Sequence, residues 1–354
     1  MTKHDPILAA AQRARAAIPD DPAMLRAAAD LARQYATASP LIYWTDLTLS
    51  ALIGWGAMAG AILAPSTGVA IACGIVSMLA LYRAASFIHE LTHIRKGALP
   101  GFRAAWNLIV GIPLMIPSFL YEGVHTQHHA RTRYGTSEDP EYLPLALMKP
   151  WSLPLFILVA ALAPVGLLLR FGLLTPLSLL IPPLRAKVVS EFSALSINPA
   201  YRRRSPEGDF ARMWAWQEAG ACLVALALVG SVFAVGWTPL LAYVAIHSVM
   251  TVINQLRTLV AHLWENEGDA MTVTAQYLDS VNVPPPGYLP FLWAPVGLRY
   301  HALHHLLPSV PYHALGAAHA RLMAALEADS PYRKGNYAGM SPLIAKIARS
   351  TMGR

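Results

Sequence analysis

The sequence predicts an all-α integral membrane protein built on two transmembrane hairpins, four spans in all, with a histidine-rich cap on their cytosolic side. Three observations carry this. Hydrophobic residues make up 55% of the 354 and charged residues only 13%, whereas a soluble protein carries about a quarter charged residues. Mean hydropathy is +0.41, so there is ample apolar surface to bury and disorder is excluded. The uncharged runs also come in pairs, each joined by a short uncharged link and flanked by basic clusters, the pattern of the positive-inside rule.

The first pair covers residues 47–63 and 68–88, with Arg83 as its only charge. Each run approaches the roughly 20 residues that a spanning helix needs. Arg33 flanks one side and Arg95, Lys96 and Arg103 the other, so both ends are expected in the cytoplasm. The second pair covers 213–235 and 238–260 and follows Arg202, Arg203 and Arg204. These arginines read as topology signals first, and as a docking patch for an acidic electron donor second. Residues 104–120 are apolar but broken by Pro113 and Pro117, and read as an interfacial or re-entrant segment. Residues 151–184 hold Arg170 and five prolines; they are expected to contribute no crossing or a cramped pair.

Three regions follow: N-terminal cytosolic helices over 1–40, a membrane domain over 41–262, and a cytosolic cap over 263–354 that forms one functional domain with it. Residues 1–21 are polar without the apolar core of a signal peptide, so no cleaved secretion signal is expected. Asp21-Pro22 reads as the N-cap and first-position proline of a helix. The net charge of +7 reads as topology and not as nucleic-acid binding, because the basic residues cluster between apolar runs. Cys73 and Cys222 each lie in an apolar run, which argues against a disulfide or a thiolate metal site.

The chemistry lies in the thirteen histidines. His89 and His93 stand at i, i+4, just past the second span. His125, His128 and His129 stand at i, i+3, i+4, and His301, His304 and His305 repeat that pattern. Residues three and four apart share a helix face, so each cluster aims its imidazoles at one point, as a metal requires. Two copies of His-x-x-His-His arise by chance with a frequency on the order of 10⁻⁴ per chain. The predicted topology puts all three clusters on one side of the membrane. Imidazole suits Zn, Cu, Fe and Ni, and eight histidines exceed the needs of one ion, so two ions are expected. A zinc pair would favour hydrolysis and an iron pair oxidation; spacing alone leaves that choice open.

The ordered set His-x-x-x-His, His-x-x-His-His, His-x-x-His-His, together with His304-His305-Leu306-Leu307-Pro308-Ser309-Val310-Pro311-Tyr312-His313, resembles the membrane-bound fatty acid desaturase superfamily over roughly residues 45–325. The first box is similar to the acyl-lipid type. The resemblance implies a di-iron centre, O2 as oxidant, insertion of a double bond into an acyl chain, and a site formed by the eight box histidines. It also implies a ninth ligand at the end of the last span, where His262 stands. Four residues earlier, where some members have Asn, this chain has Thr258, with Asn254 one turn further back. Thr258, Asn254, Asp139, Glu90 and His313 are candidates for supporting the ligands, with Glu138 and Glu141 weaker ones. His247 reads as a histidine hydrogen-bonded between helices, Asn254 and Arg257 as core polar residues bonding across helices, and His319 as a surface residue.

An oxygen-dependent lipid desaturase is thus the leading expectation. A hydroxylase or ketolase on the same scaffold, acting on an acyl chain, a sphingoid base or a carotenoid, is the alternative. A non-enzymatic metal-binding membrane protein is more remote, since a transporter places ionisable groups mid-span and only His247 lies there. Electrons are expected from a separate ferredoxin- or cytochrome b5-type donor, because no cluster-binding cysteines are present.

Overall fold

The computed structural model describes residues 16–352; the first 15 residues of the expected N-terminal region lie outside them. The described residues are helical, with isolated bridges and no strands. Helix α1, Pro22–Tyr35, starts where Asp21 accepts the amides of Ala23 and Met24, with Pro22 in its first turn. Five helices are then long and apolar enough to cross a membrane: α2 Pro40–Ile62, α3 Thr67–His93, α4 Ser152–Leu180, α5 Gly208–Val235 and α6 Thr238–Leu259. Their outward faces carry exposed Leu52, Leu63, Ile71, Leu162, Leu180, Leu223 and Phe233, the surface a lipid solvent accepts.

α2 and α3 form the first hairpin. Gly54 lets them meet: a Cβ there would stand 2.6 Å from the Leu81 side chain. Ser77 donates to the Gly54 carbonyl at 2.9 Å, and Arg83 clamps Asp46 through two 2.6 Å bonds. α3 runs on through His89 and His93. The first histidine pair is therefore the end of the spanning helix itself; the sequence reading placed it just beyond.

The fifth long helix is where sequence and structure differ. Residues 152–180 form one continuous helical rod with a π turn at Arg170–Leu174, and the short helix Pro182–Glu191 packs back on its end. The prolines fail to break it because neighbouring groups satisfy what they release. Pro164 has no N–H for the Ala160 carbonyl, and the Thr251 hydroxyl of α6 stands 2.7 Å from that oxygen. Arg170 is buried against Glu218 of α5 at 2.6 Å, and Arg185 binds the other Glu218 oxygen at 2.7 Å. The charge that argued against a helix here is neutralised inside the bundle.

The segment between α3 and α4 follows the expected broken course: a short helix Phe102–Trp106, a π turn Asn107–Gly111 and a 3-10 turn Ser118–Leu120. After α6 the chain forms the helices α7 His301–Leu306, α8 Leu315–Ala325 and α9 Met340–Met352. α1 packs on α8, and the two share one apolar core. The turn Pro290–Trp293 exposes Leu289 and Phe291. Phe291 lies under the Arg83 guanidinium, and Tyr82 donates to the Trp293 carbonyl at 2.9 Å. This part of the 263–354 segment therefore sits against a spanning helix. Arg203, read from sequence as a topology signal first and part of a docking patch second, is buried and donates to the carbonyls of Ser193 and Glu122.

Candidate metal centre

Four segments converge at one end of the bundle: the last turns of α3, the short helix His125–His128, the chain just past α6, and α7. They sort the histidines into two groups. His89, His93, His125, His129 and His304 form one, and His128, His262, His301 and His305 the other; within each group the candidate ligand nitrogens all lie within 4.8 Å of one another. Each His-x-x-His-His motif thus divides between the groups. On a helix, positions i and i+4 turn to one group and i+3 to the other in the second cluster, and the reverse holds in the third. The groups adjoin, with the rings of His129 and His305 stacked at 4.3 Å.

The rings are held from behind. Asp139 receives His128 Nδ1 at 2.9 Å and is pinned by the amides of Gly135 and Glu141. Gly135 adopts φ +70, and a Cβ there would strike Asn266 at 2.7 Å, so the loop that carries Asp139 needs glycine. Glu141 receives His125 Nδ1 at 2.8 Å and the Tyr121 hydroxyl at 2.8 Å. Tyr134 donates to Asp279 at 2.9 Å, so its oxygen accepts the Nδ1–H of His262 at 2.8 Å.

These bonds fix tautomers. With Nδ1 protonated, the Nε2 atoms of His125 and His262 carry lone pairs. Those lone pairs face other imidazole nitrogens at short range: His125 to His129 at 3.0 Å, His262 to His301 at 2.9 Å. His304 adds contacts of 3.1 Å to His93 and 3.2 Å to His129. Both nitrogens of buried His89 lack any hydrogen-bond partner. Converging lone pairs about 3 Å apart repel unless a cation lies between them; ligands about 2.1 Å from one ion at right angles have that separation. The donor set therefore fits two metal ions. Burial first, and then repulsion among neighbouring imidazoles, holds His125, His129, His262, His301, His304 and His305 well below the usual histidine value. All six are neutral at physiological pH, the form that binds metal. Burial also lowers His128, but the Asp139 carboxylate outweighs it and the net shift is upward.

A cavity of about 640 Å³ opens beside the first group, within the usual range of roughly 300–1,000 Å³ for ligand sites. Its near wall holds His89, Tyr121 and Glu141, and its far wall runs along α4 through Leu155, Phe156, Val159 and Ala163. α6 contributes a polar stripe of His247, Thr251, Asn254, Arg257 and Thr258.

The structure gathers all nine expected histidines and sets Asp139 behind one of them. Other expected positions fall elsewhere. Glu90 spends one oxygen on the Tyr43 hydroxyl and the Tyr312 amide at 3.2 Å, while the other stands 3.8 Å from His89 Nδ1, too far for a hydrogen bond. His313 accepts the Ser39 amide at 3.1 Å, and Glu138 faces solvent near Arg133. Thr258 and Asn254 line the cavity, and Asn254 accepts from Arg257. His247 has no hydrogen-bond partner on either nitrogen and lines the cavity; it does not bond a neighbouring helix. His319 is buried and bonded to the Tyr332 hydroxyl at 2.8 Å, not on the surface. Tyr134 and Asp279 carried no local signal, since they meet across 145 positions of chain; Tyr121 stands four residues before His125, whose Nδ1 it meets at 2.8 Å, and that spacing could have pointed to it.

Residues 63–336 match the fatty acid desaturase family. The chain belongs to that family of membrane oxidoreductases. It is 48% identical over 332 residues to the ceramide hydroxylase of Caulobacter vibrioides, an alignment covering 93% of this chain and 94% of that protein. No solved structure matches it significantly.

Proposed function

We propose that this protein is an oxygen-dependent hydroxylase that inserts a hydroxyl group into a hydrocarbon chain of ceramide, using a pair of iron ions held by the nine histidines. The observation that carries the reading is the apolar cavity of about 640 Å³ whose wall includes His89, Tyr121 and Glu141, so that a lipid chain can lie against the first histidine group. Family membership is compatible with desaturation, the leading expectation from sequence. The ceramide hydroxylase relative, matched over nearly the whole of both chains, favours hydroxylation instead.

An unactivated C–H bond has no acidic proton for a side chain to remove. Bound iron would supply the one capability the protein lacks, activation of O2 for hydrogen abstraction. The remaining work falls to the chain. The nine imidazoles, oriented by Asp139, Glu141 and Tyr134, would hold the metals. The α4 wall would align the hydrocarbon and exclude water. The balance is one C–H, one O2, two electrons and two protons giving one C–OH and one water. The electrons come from a separate donor protein of the ferredoxin or cytochrome b5 type. The basic clusters at the span ends support a centre and both termini that face the cytoplasm.

Purified iron-loaded protein given ceramide, a chemical reductant and ¹⁸O2 should yield ceramide carrying one ¹⁸O per turnover. Ceramide lighter by two hydrogens and free of ¹⁸O would make the protein a desaturase.

A further inference from the structure

Arg257 is the exception among the buried and half-buried arginines compared with it. Arg83 has Asp46, Arg103 has Glu122, and Arg170 has Glu218. Arg203 is satisfied by two backbone carbonyls. Arg257 is paired with no carboxylate among the described residues; its Nη2 donates to Asn254 Oδ1 at 3.0 Å, and its Nε is buried with no acceptor. Both residues line the cavity on one face of α6, and His89, Tyr121 and Glu141 line the same cavity. A guanidinium with no paired carboxylate and an unsatisfied Nε–H is costly in such a place. The cost rises beside a cluster of histidines suited to holding cations. Glu141 already accepts from His125 and Tyr121, and Tyr82, whose hydroxyl donates to the Trp293 carbonyl, offers its oxygen to the Arg257 guanidinium but leaves the Nε–H without an acceptor.

We propose that Arg257, oriented by Asn254, binds the carbonyl oxygen of the acyl substrate inside the cavity and so sets which carbon is oxidised. A carbonyl oxygen gives the free Nε–H the acceptor it lacks. Arg257 stands near the histidine end of α6, whereas His247 lies ten residues deeper, about 15 Å along the helix. The carbonyl is therefore held close to the metal-binding end, with the chain running away along α4. The oxidised carbon lies within a few bonds of the carbonyl and not in the middle of the chain. This rests on the ceramide reading for the source of the carbonyl, an amide; a free fatty acid would offer a carboxylate with the same acceptor chemistry.

The test uses the full iron-loaded protein in detergent. The probes are a ceramide and a free fatty acid whose chains carry bromine, read by quenching of tryptophan, since Trp151 lines the cavity. Arg257→Met should bind the ceramide probe on the order of 10- to 100-fold more weakly, with iron content unchanged. Arg257→Lys should restore most of the affinity, and tandem mass spectrometry of its product should show a new hydroxyl near the amide, as in the unsubstituted protein. Unchanged ceramide binding in Arg257→Met with full iron would overturn the proposal and leave the ceramide reading intact. Tighter binding of the fatty acid than of ceramide, lost in Arg257→Met, would keep the carbonyl site and overturn the ceramide reading. Loss of iron in both variants would make Arg257 a prop of the histidine cluster and overturn the proposal.

Discussion

His262 Nε2 stands 2.9 Å from His301 Nε2, although 39 residues separate them in the chain. The contact joins the end of the last spanning helix to the third histidine motif. It is held from the far side by Tyr134, which bridges His262 and Asp279 at 2.8 and 2.9 Å. His262 is thereby placed as the fourth member of a group whose other three come from the two His-x-x-His-His motifs.

Replacing His262 should therefore empty one group and spare the other. We predict that His262→Ala inserts normally, loses one iron of two and retains no turnover. His247→Ala should keep both irons and substantial activity, because its ring lines the cavity away from either group. Iron per chain, measured on both variants, checks this.

Among the nine histidines, Asp139 hydrogen-bonds His128 alone. Asp139→Asn should keep the loop but weaken the orientation and basicity of the imidazole, with a loss of about 10- to 100-fold in metal affinity or activity. Asp139→Ala also frees the Gly135 and Glu141 amides and should lose more. Competition with a calibrated chelator gives the ordering; equal iron retention in all three proteins would refute the role.

Glu218 is the shared acceptor of Arg170, Arg185 and the Trp214 indole. Glu218→Ala leaves the buried Arg170 guanidinium uncompensated and the half-exposed Arg185 without its partner, at a cost of about 3–5 kcal/mol for the buried charge. The expected result is a lower unfolding midpoint in detergent, with the histidine groups intact in whatever fraction folds. A midpoint equal to that of the parent protein would mean that the pair contributes nothing.

The histidine motifs, the two hairpins and the α1 cap were legible because each is a local pattern: fixed spacing on a helix, an uncharged run, Asp21 before Pro22. His262 was legible through the resemblance, which implies a ninth ligand at the end of the last span, where it stands. What could not be read were relations across the chain. Pro164 looked like a helix breaker because the Thr251 hydroxyl that answers it lies 91 residues away. Arg170 looked unfit for the bundle because Glu218 lies 48 residues on. The partition of each His-x-x-His-His motif between two groups also escaped the sequence, since spacing shows that imidazoles share a face but not that the face looks onto two ions. Tyr134 and Asp279 had no motif at all.

The basic clusters at the span ends predict the orientation of the bundle. Single cysteines at Ser66 and Thr238, in the links of the two hairpins, should label from the side opposite the histidine end, in a background lacking Cys73 and Cys222. Labelling of Thr238→Cys from the cytoplasm in intact cells would invert the second hairpin.

The central claim is that two adjacent histidine groups each hold an iron ion. Elemental analysis of the purified protein, beside His93→Ala from the first group and His305→Ala from the second, addresses it directly. The account predicts two irons per chain in the parent protein, and one in each variant with the other site retained. Stoichiometric zinc with activity retained, or a single metal in the parent protein that both substitutions abolish, would contradict it.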